Sequence, residues 1–343
     1  MLGTMLGTLG SRLAVAVLLA VAPALAAEPE KAAVSIGVGS SILNYAPLPL
    51  AQSLGHFKQE GLTVTVENFQ AGGSKALQAL IGGSVDAVVG FYDHTIQIQA
   101  QGKEIVGVFL LTDTPGIVFD VRADLADKVK EGRDLKGMKI GITTPGSSSD
   151  MVLRYYLRRN GLTPRDVSIL AVGTGAPGMV ALESRTVDAL ITFDPIATVL
   201  DRKGTGKPLF DTRNEDGSRA AFGGAYPTAC LYVTRAFLEK NPETIQRLAN
   251  AFLRTLRWLA AESPERIVDA LPAASKVDDR TLNLDIVTAS KPMFSQSGLF
   301  DPDTLKTPLA VLSVYDEKIG KSAIDLSRTY TNRFAEEAAR RLP

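Results

Sequence analysis

The sequence predicts an α/β protein of two similar lobes, each a mostly parallel sheet flanked by helices. A phrase that occurs twice is the first sign. Residues 80–87 read Leu-Ile-Gly-Gly-Ser-Val-Asp-Ala, and residues 182–189 read Leu-Glu-Ser-Arg-Thr-Val-Asp-Ala. The second sign is context. Each copy follows a helix-like stretch and runs into an apolar strand, Val88-Val89-Gly90-Phe91 or Leu190-Ile191-Thr192-Phe193, with an acid just beyond it, Asp93 or Asp194. The third is the β-α-β-α alternation of the remaining chain, the pattern of parallel sheets covered on both faces. The copies lie too far apart for a solenoid. Two lobes leave a cleft between them, and clefts bind ligands.

In order, residues 34–39 alternate as a strand, a loop covers 40–49, and a helix follows over 51–55. A second strand spans 62–69, and Gln70-Ala71-Gly72-Gly73-Ser74 turns into a helix over 75–81 with Ser74 placed to cap it. Strands over 87–91 and 105–111 flank a helix over 95–101. A second series brings strands over 116–121, 139–142, 167–172 and 189–193, with helices over 151–160 and 179–184. The charged, Gly-rich segment 211–224 reads as an exposed loop, and 229–233 as the strand returning to the first lobe. Helical periodicity dominates thereafter, with Ile245, Leu248, Ala251, Phe252, Leu256 and Leu259 along one face, and further helices near 277–289, 302–319 and 322–341 expected to pack on the first lobe. The predicted division is a leader over 1–26, a first lobe from 27–114 and 228–343, and a second lobe from 115–227.

The leader reading rests on Arg12, the apolar run 13–22 and the small-x-small site Ala24-Leu25-Ala26. That run is too short to span a bilayer comfortably, and no cysteine adjoins the site for lipid attachment. The expectation is a soluble periplasmic protein, monomeric and without a membrane anchor. The chain carries 37 basic and 37 acidic residues, and loss of the leader removes one base, Arg12. Such balance gives no electrostatic case for nucleic acid or an anionic membrane. Cys230, the single cysteine, leaves no internal disulfide and reads as a small buried hydrophobe.

Ligands of open α/β sheets bind beyond the carboxyl ends of the strands. The loops selected by that rule are Leu43-Asn44-Tyr45, Gln70 to Ser74 with Gly73 within it, Tyr92-Asp93-His94 and Thr112 to Thr114 in the first lobe, and Thr144 to Ser149 with Ser147 and Ser148 within it, Gly173-Thr174-Gly175, Phe193-Asp194 and Tyr226-Pro227-Thr228 in the second. Pro145-Gly146-Ser147-Ser148-Ser149 is the best single candidate. Small residues opening a helix present N–H groups and hydroxyls to an anion, although Ser147 or Ser148 serves equally as a plain N-cap. Gly173-Thr174-Gly175-Ala176-Pro177-Gly178 matches the dinucleotide fingerprint, but the following helix is short and Pro177 stiffens the turn; a tight turn lining the cleft is the ordinary reading. Asp93-His94 could supply half of a catalytic pair, and no second partner is visible. Two histidines, one cysteine and no metal-ligand spacing argue against a metal site. No nucleophile elbow or Walker loop occurs. A cleft without a catalytic constellation or cofactor signature points to binding.

The chain resembles the periplasmic solute-binding proteins of ABC importers, in the group that handles nitrate, sulfonates, taurine and thiamine-precursor pyrimidines. The carriers are Tyr45-Ala46-Pro47, the run Ala51-Gln52-Ser53-Leu54-Gly55-His56-Phe57-Lys58-Gln59-Glu60-Gly61-Leu62, Gly72-Gly73-Ser74, both repeated phrases, and Asp134-Leu135-Lys136-Gly137. The resemblance implies the type II two-lobed fold with two hinge crossovers, closure on a ligand, and delivery to a membrane permease driven by an ATPase. It implies contacts from Asn44, Tyr45, Gly73, Ser74, Tyr92, Asp93 and His94 on one side and Ser147, Ser148, Thr174 and Asp194 on the other, with no chemistry performed. Ser and Gly helix starts favour a small organic anion of the sulfonate or taurine kind. Asp93, Asp113 and Asp194 favour a ligand carrying N–H donors, and Tyr45, Phe91, Tyr92, Phe193 and Tyr226 could flank a flat ring. The alternatives are therefore import of a pyrimidine, or an enzyme of thiamine-pyrimidine synthesis. Relatives of that last kind use a cysteine-rich segment and pyridoxal phosphate, and this chain lacks the segment. A sensor role is not separable from transport by sequence.

Overall fold

The computed structural model describes residues 28–342, so the predicted leader lies outside the described residues. Ten strands form two five-stranded sheets. The first contains β1 (Ala33–Val38), β2 (Thr63–Asn68), β3 (Ala87–Phe91), β4 (Ile105–Leu110) and β10 (Ala229–Thr234), in the order β2-β1-β3-β10-β4. The second contains β5 (Ile117–Arg122), β6 (Lys139–Ile142), β7 (Ser168–Ala171), β8 (Ala189–Phe193) and β9 (Gly206–Asp211), in the order β7-β6-β8-β5-β9. In each sheet one strand opposes the rest: β10 runs antiparallel to β3 and β4, and β5 runs antiparallel to β8 and β9. These two strands follow the crossovers between the sheets, so the chain enters each new sheet against its direction. The result is the α/β two-lobed architecture expected.

The helices that place the cleft loops are α1 (Pro47–Ser53), α2 (His56–Gln59), α3 (Gly73–Ile81), α4 (Asp93–Gln99), α5 (Ser148–Arg159), α6 (Ala176–Glu183) and α7 (Ile196–Lys203). Central β3 is apolar and buried throughout, whereas edge strand β2 alternates Thr-Val-Thr-Val with every second residue outward. Beyond α1, which starts at Pro47, and α7 and β9, which the sequence reading did not mark, three departures bear on the cleft and the packing around it. Residues 211–224 are not a plain loop: they close β9 and form α8 (Glu215–Phe222), capped by the Asn214 side chain. Helix α3 begins at Gly73, and Ser74 does not cap it. The C-terminal helices do not pack on the first lobe alone, since Lys306–Tyr315 lies against both α4 and α5, and Arg280–Ser290 against α7. After α9 (Arg235–Lys240), the long α10 (Pro242–Ala261) buries Ile245, Leu248, Phe252, Leu256 and Leu259 where it packs on α1, α2, β4 and the C-terminal helix Arg333–Arg341, at roughly 1.5–3 kcal/mol for each side chain removed from water.

The repeated phrase has one structural job in both lobes. Asp86 accepts from the backbone N–H of Ser35 in β1 at 2.9 Å, and its own N–H donates to the Ser35 carbonyl. Asp188 accepts from the backbone N–H of Lys139 in β6 at 3.0 Å, and its N–H donates to the Lys139 carbonyl. Each acid also pairs with a base, Lys31 or Arg122. The phrase therefore clamps β3 to β1 in one sheet and β8 to β6 in the other, and Phe91 and Phe193 at the ends of those strands meet across the cleft, edge to face at 5.7 Å.

Candidate functional site

The loops leaving the carboxyl ends of both sheets enclose a cleft in two continuous parts. An inner chamber of about 20 Å³ lies among Tyr45, Gly73, Phe91, His94, Ser147 and Ser148. An outer part of about 450 Å³ opens past Asn68, Gln70, Gly175, Asp194 and Lys276. Ser40, Ile42, Thr143, Thr174 and Phe193 line both. The lobes are closed upon one another. The Ser148 hydroxyl donates to Asp93 Oδ1 at 3.0 Å, Ser74 Oγ and Thr144 Oγ1 lie 2.9 Å apart, and the Leu43 N–H donates to the Asp194 carbonyl at 3.0 Å.

Two helix N-termini converge on the inner chamber. Gly72, the N-cap of α3, has φ +83° and no side chain to cap with; a Cβ there would stand 3.1 Å from both Thr143 Oγ1 and Thr144 Oγ1 of the opposite lobe. Ser147, the N-cap of α5, makes no side-chain capping bond; its hydroxyl instead donates to the Thr144 carbonyl and joins Thr143 Oγ1 and Ser149 Oγ in a buried cluster. Leading N–H groups at both helices are thus left to other acceptors, with the positive ends of both dipoles on one spot.

His94 completes the chamber. It is 1% exposed, Nδ1 lies 3.1 Å from the Tyr232 hydroxyl, and Nε2 is buried with no partner. Burial lowers its pKa and Asp93 opposes the shift, so the ring is held toward the neutral form. Burial pushes the Tyr232 hydroxyl well up, which keeps its proton available. Tyr232 donating to Nδ1 leaves the proton on Nε2, and His94 then offers an N–H donor to whatever occupies the chamber. Asp93 lies one layer back, fully buried, accepting from Ser148 and from the Tyr226 hydroxyl at 3.3 Å. Burial raises its pKa against the pull of His94 and those two hydroxyls.

Of the residues expected at the ligand, Tyr45, Gly73, His94, Ser147, Ser148 and Thr174 line the inner chamber. Ser74 bridges to Thr144 at its edge. Four others do not reach the inner chamber. Asn44 donates to the Pro115 carbonyl at 2.8 Å and serves the crossover. The Tyr92 hydroxyl bonds Thr329 and its ring packs on Phe300. Thr112 pairs with Thr228 and accepts from the Ala229 N–H. Asp194 lines the outer cleft, but its carboxylate is turned away and fully engaged: Oδ1 accepts from the N–H and hydroxyl of Thr198, and Oδ2 from Arg213 at 3.1 Å and Ser290 at 2.6 Å. Arg213, which sequence reasoning missed because it sits in the supposed loop, holds Asp194 and Asp211 together. Burial works against its charge, but the hydrogen bonds and charges of the two carboxylates outweigh burial and raise its pKa. Thr143 and Ser40 were also missed as chamber residues, whereas Gly72 and Ser149 fall in the two helix starts singled out from the sequence. Thr143 and Ser40 stand just past β6 and β1, so a stricter use of the strand-tip rule finds them. Asp113 lies outside the cleft.

The NMT1-like family matches residues 27–271 of this chain. A solved structure from Bordetella bronchiseptica RB50 is 36% identical, spans 92% of this chain and 100% of its own, and superposes with a TM-score of 0.88. The 4-amino-5-hydroxymethyl-2-methylpyrimidine phosphate synthase of Aspergillus parasiticus is 27% identical over 84% of this chain and 83% of its own length. The alkanesulfonate-binding protein SsuA of Xanthomonas axonopodis pv. citri, solved with MOPS, is 20% identical over 84% of this chain and 93% of its own, with a TM-score of 0.69; at that identity it speaks for the fold.

Proposed function

The chain belongs to the NMT1-like family, and from that premise we propose that it is the substrate-binding component of an ABC-type importer, taking a small-headed organic anion of the sulfonate or taurine kind. The observation that carries this reading is the inner chamber, where two uncapped helix N-termini, the Ser147–Ser149 hydroxyls and the unpartnered Nε2 of His94 converge. The leading helix N–H groups and Nε2 of His94 can donate, while the Ser147 and Ser148 hydroxyls give their protons to the Thr144 carbonyl and to Asp93; none of the chamber groups carries a net charge, an arrangement suited to an anionic head. The outer cleft receives the rest of the ligand. Closure follows from contacts that need both lobes at once. We assign ligand contact to Tyr45, Gly73, Ser74, His94, Ser147, Ser148 and Thr174, with Asp93 holding Ser148, and take the lobes as 27–114 with 228–343 and 115–227. Delivery to a permease and its ATPase, and a periplasmic location, belong to the same proposal.

A second reading has one observation in its favour. Tyr45, Phe91 and Phe193 pack edge to face around the chamber, and the similarity to pyrimidine phosphate synthases extends over most of the chain. A flat pyrimidine is the ligand in that case. Cys230 gives no support to chemistry, because it is buried and its thiol pKa is raised by burial and by Asp93.

A thermal-shift and calorimetric panel of ethanesulfonate, taurine, nitrate and 4-amino-5-hydroxymethyl-2-methylpyrimidine decides between them. Ethanesulfonate or taurine raises the Tm by mass action on our reading. A shift with the pyrimidine alone replaces it, and turnover of any of the four overturns the binding role.

A further inference from the structure

No lysine or arginine lines the inner chamber, and its one titratable base is His94. That ring is 1% exposed, and Nε2 is buried without a partner. Asp93 stands beside it on α4, equally buried. An anion held here therefore shares a dry site with a second acid. The dipoles of α3 and α5 supply about half a unit charge each, enough for one anion and not for an ionised Asp93 as well. An uncompensated buried charge is costly. A proton on a group already facing the chamber removes that cost.

The surroundings single out His94 as the group to take it. Tyr45, Tyr226, and Cys230 and Tyr232 of β10 stand around the Asp93–His94 pair, and burial raises the pKa of all four, so they keep their protons. Strands β3 and β4 carry no titratable side chain. In helix Lys306–Tyr315, which packs on α4, Lys306 pairs with Asp303 and burial keeps Tyr315 protonated. Lys75 of α3 is exposed, Asp150 of α5 pairs with Arg154, and Asp325 meets α4 at its far end, by Gln99. In the ligand-free protein burial holds the His94 ring toward the neutral form. An anion against Nε2 favours the charged ring. Nδ1 is the nitrogen left to be filled, and the Tyr232 hydroxyl 3.1 Å away turns from donor to acceptor, as a phenol can.

We propose that the chamber captures its anion together with one proton, taken from solvent onto Nδ1 of His94. This rests on the anion reading of the cleft and adds a second ligand to it. One N–H bond forms, the proton comes from water or buffer, and nothing else is made or broken. A sulfonate cannot carry a proton of its own near neutral pH. Its affinity therefore falls about tenfold per pH unit between the His94 pKa of the ligand-free and of the ligand-bound protein.

Titration calorimetry with ethanesulfonate in Tris and in triethanolamine, buffers of different ionisation enthalpy and no anionic head, counts the proton. The expected uptake at pH 7.5 is about one per anion bound. The chain holds two histidines, so ¹⁵N-histidine NMR of the wild-type protein reads the ring directly. Ethanesulfonate moves both His94 nitrogens to imidazolium positions and leaves His56, which bonds Thr255 outside the cleft, unmoved. His94→Gln keeps a neutral donor near the place of Nε2, so it binds ethanesulfonate without proton uptake or pH slope; Asp93→Asn retains the uptake. Binding with no proton taken up, or a His94 ring that stays neutral, overturns this inference and leaves the anion reading standing. Uptake lost in Asp93→Asn and kept in His94→Gln places the proton on Asp93 and overturns the assignment to His94. No heat with ethanesulfonate, taurine or nitrate overturns both.

Discussion

Replacing Ser148 by alanine tests closure through a single bond. The Ser148 hydroxyl, from the second lobe, donates at 3.0 Å to Asp93 Oδ1 in the first, and both residues are buried. If Asp93 is ionised, a hydrogen bond to it contributes about 1.5–3 kcal/mol; if it is protonated, about 0.5–1.5 kcal/mol. One decade of affinity is about 1.4 kcal/mol, so the expected loss for ethanesulfonate is roughly 10- to 150-fold in the first case and about 2- to 12-fold in the second. Burial raises the Asp93 pKa, so the loss grows as pH rises through its titration. The bond crosses the cleft, so removing it acts on closure and leaves the urea midpoint of the ligand-free protein near that of the wild type. The assay is isothermal titration at pH 5 and pH 8. A Kd within twofold of wild type at both values refutes the reasoning.

Gly73→Ala puts a carbon 2.7 Å from Cε1 of His94 and forces the ring out of its place; ethanesulfonate binding falls about tenfold by the overpacking cost, while helix α3 gains from the loss of glycine, and unchanged affinity contradicts this. Arg213→Met leaves buried Asp194 without its ion pair, an expected cost of about 3–5 kcal/mol in urea unfolding, and a loss below about 1 kcal/mol counts against the assignment of Arg213. Asp120 sits in β5, 1% exposed, with Oδ2 unpartnered and its pKa lifted by burial to about 8 against the pull of Arg213. The unfolded chain gives up this proton near pH 4 and the folded chain near 8, so the group subtracts stability progressively across that window; Asp120→Asn exceeds wild type by about 4 kcal/mol at most at pH 7 and by little at pH 4, and a gap independent of pH contradicts the origin given.

Much of the architecture was legible because it rests on local rules. The twofold phrase ending in Val-Asp-Ala marked β3 and β8, and its aspartates do the same work in each lobe. The strand-tip rule found the glycine and serine helix starts, since small residues opening a helix are visible in sequence. What stayed hidden is set by partners distant in the chain. Asp194 ends β8 as expected, but Ser290 and Arg213 turn its carboxylate inward, and nothing near Asp194 announces them. Tyr92 and Thr112 also stand at strand tips, yet they pack toward Thr329 and Thr228 on the side away from the cleft. Helix α8 was obscured by glycines and charges at its ends, although Asn214 three residues before Gly217 is a cap signal.

Small-angle scattering of the protein with and without saturating ethanesulfonate tests the central claim most directly. An anion gripped between the lobes shifts the ensemble to the closed form described above, so the radius of gyration falls to the value calculated from these coordinates. Heat of binding with no change in that radius, or a bound anion located elsewhere by crystallography of the same complex, contradicts the account.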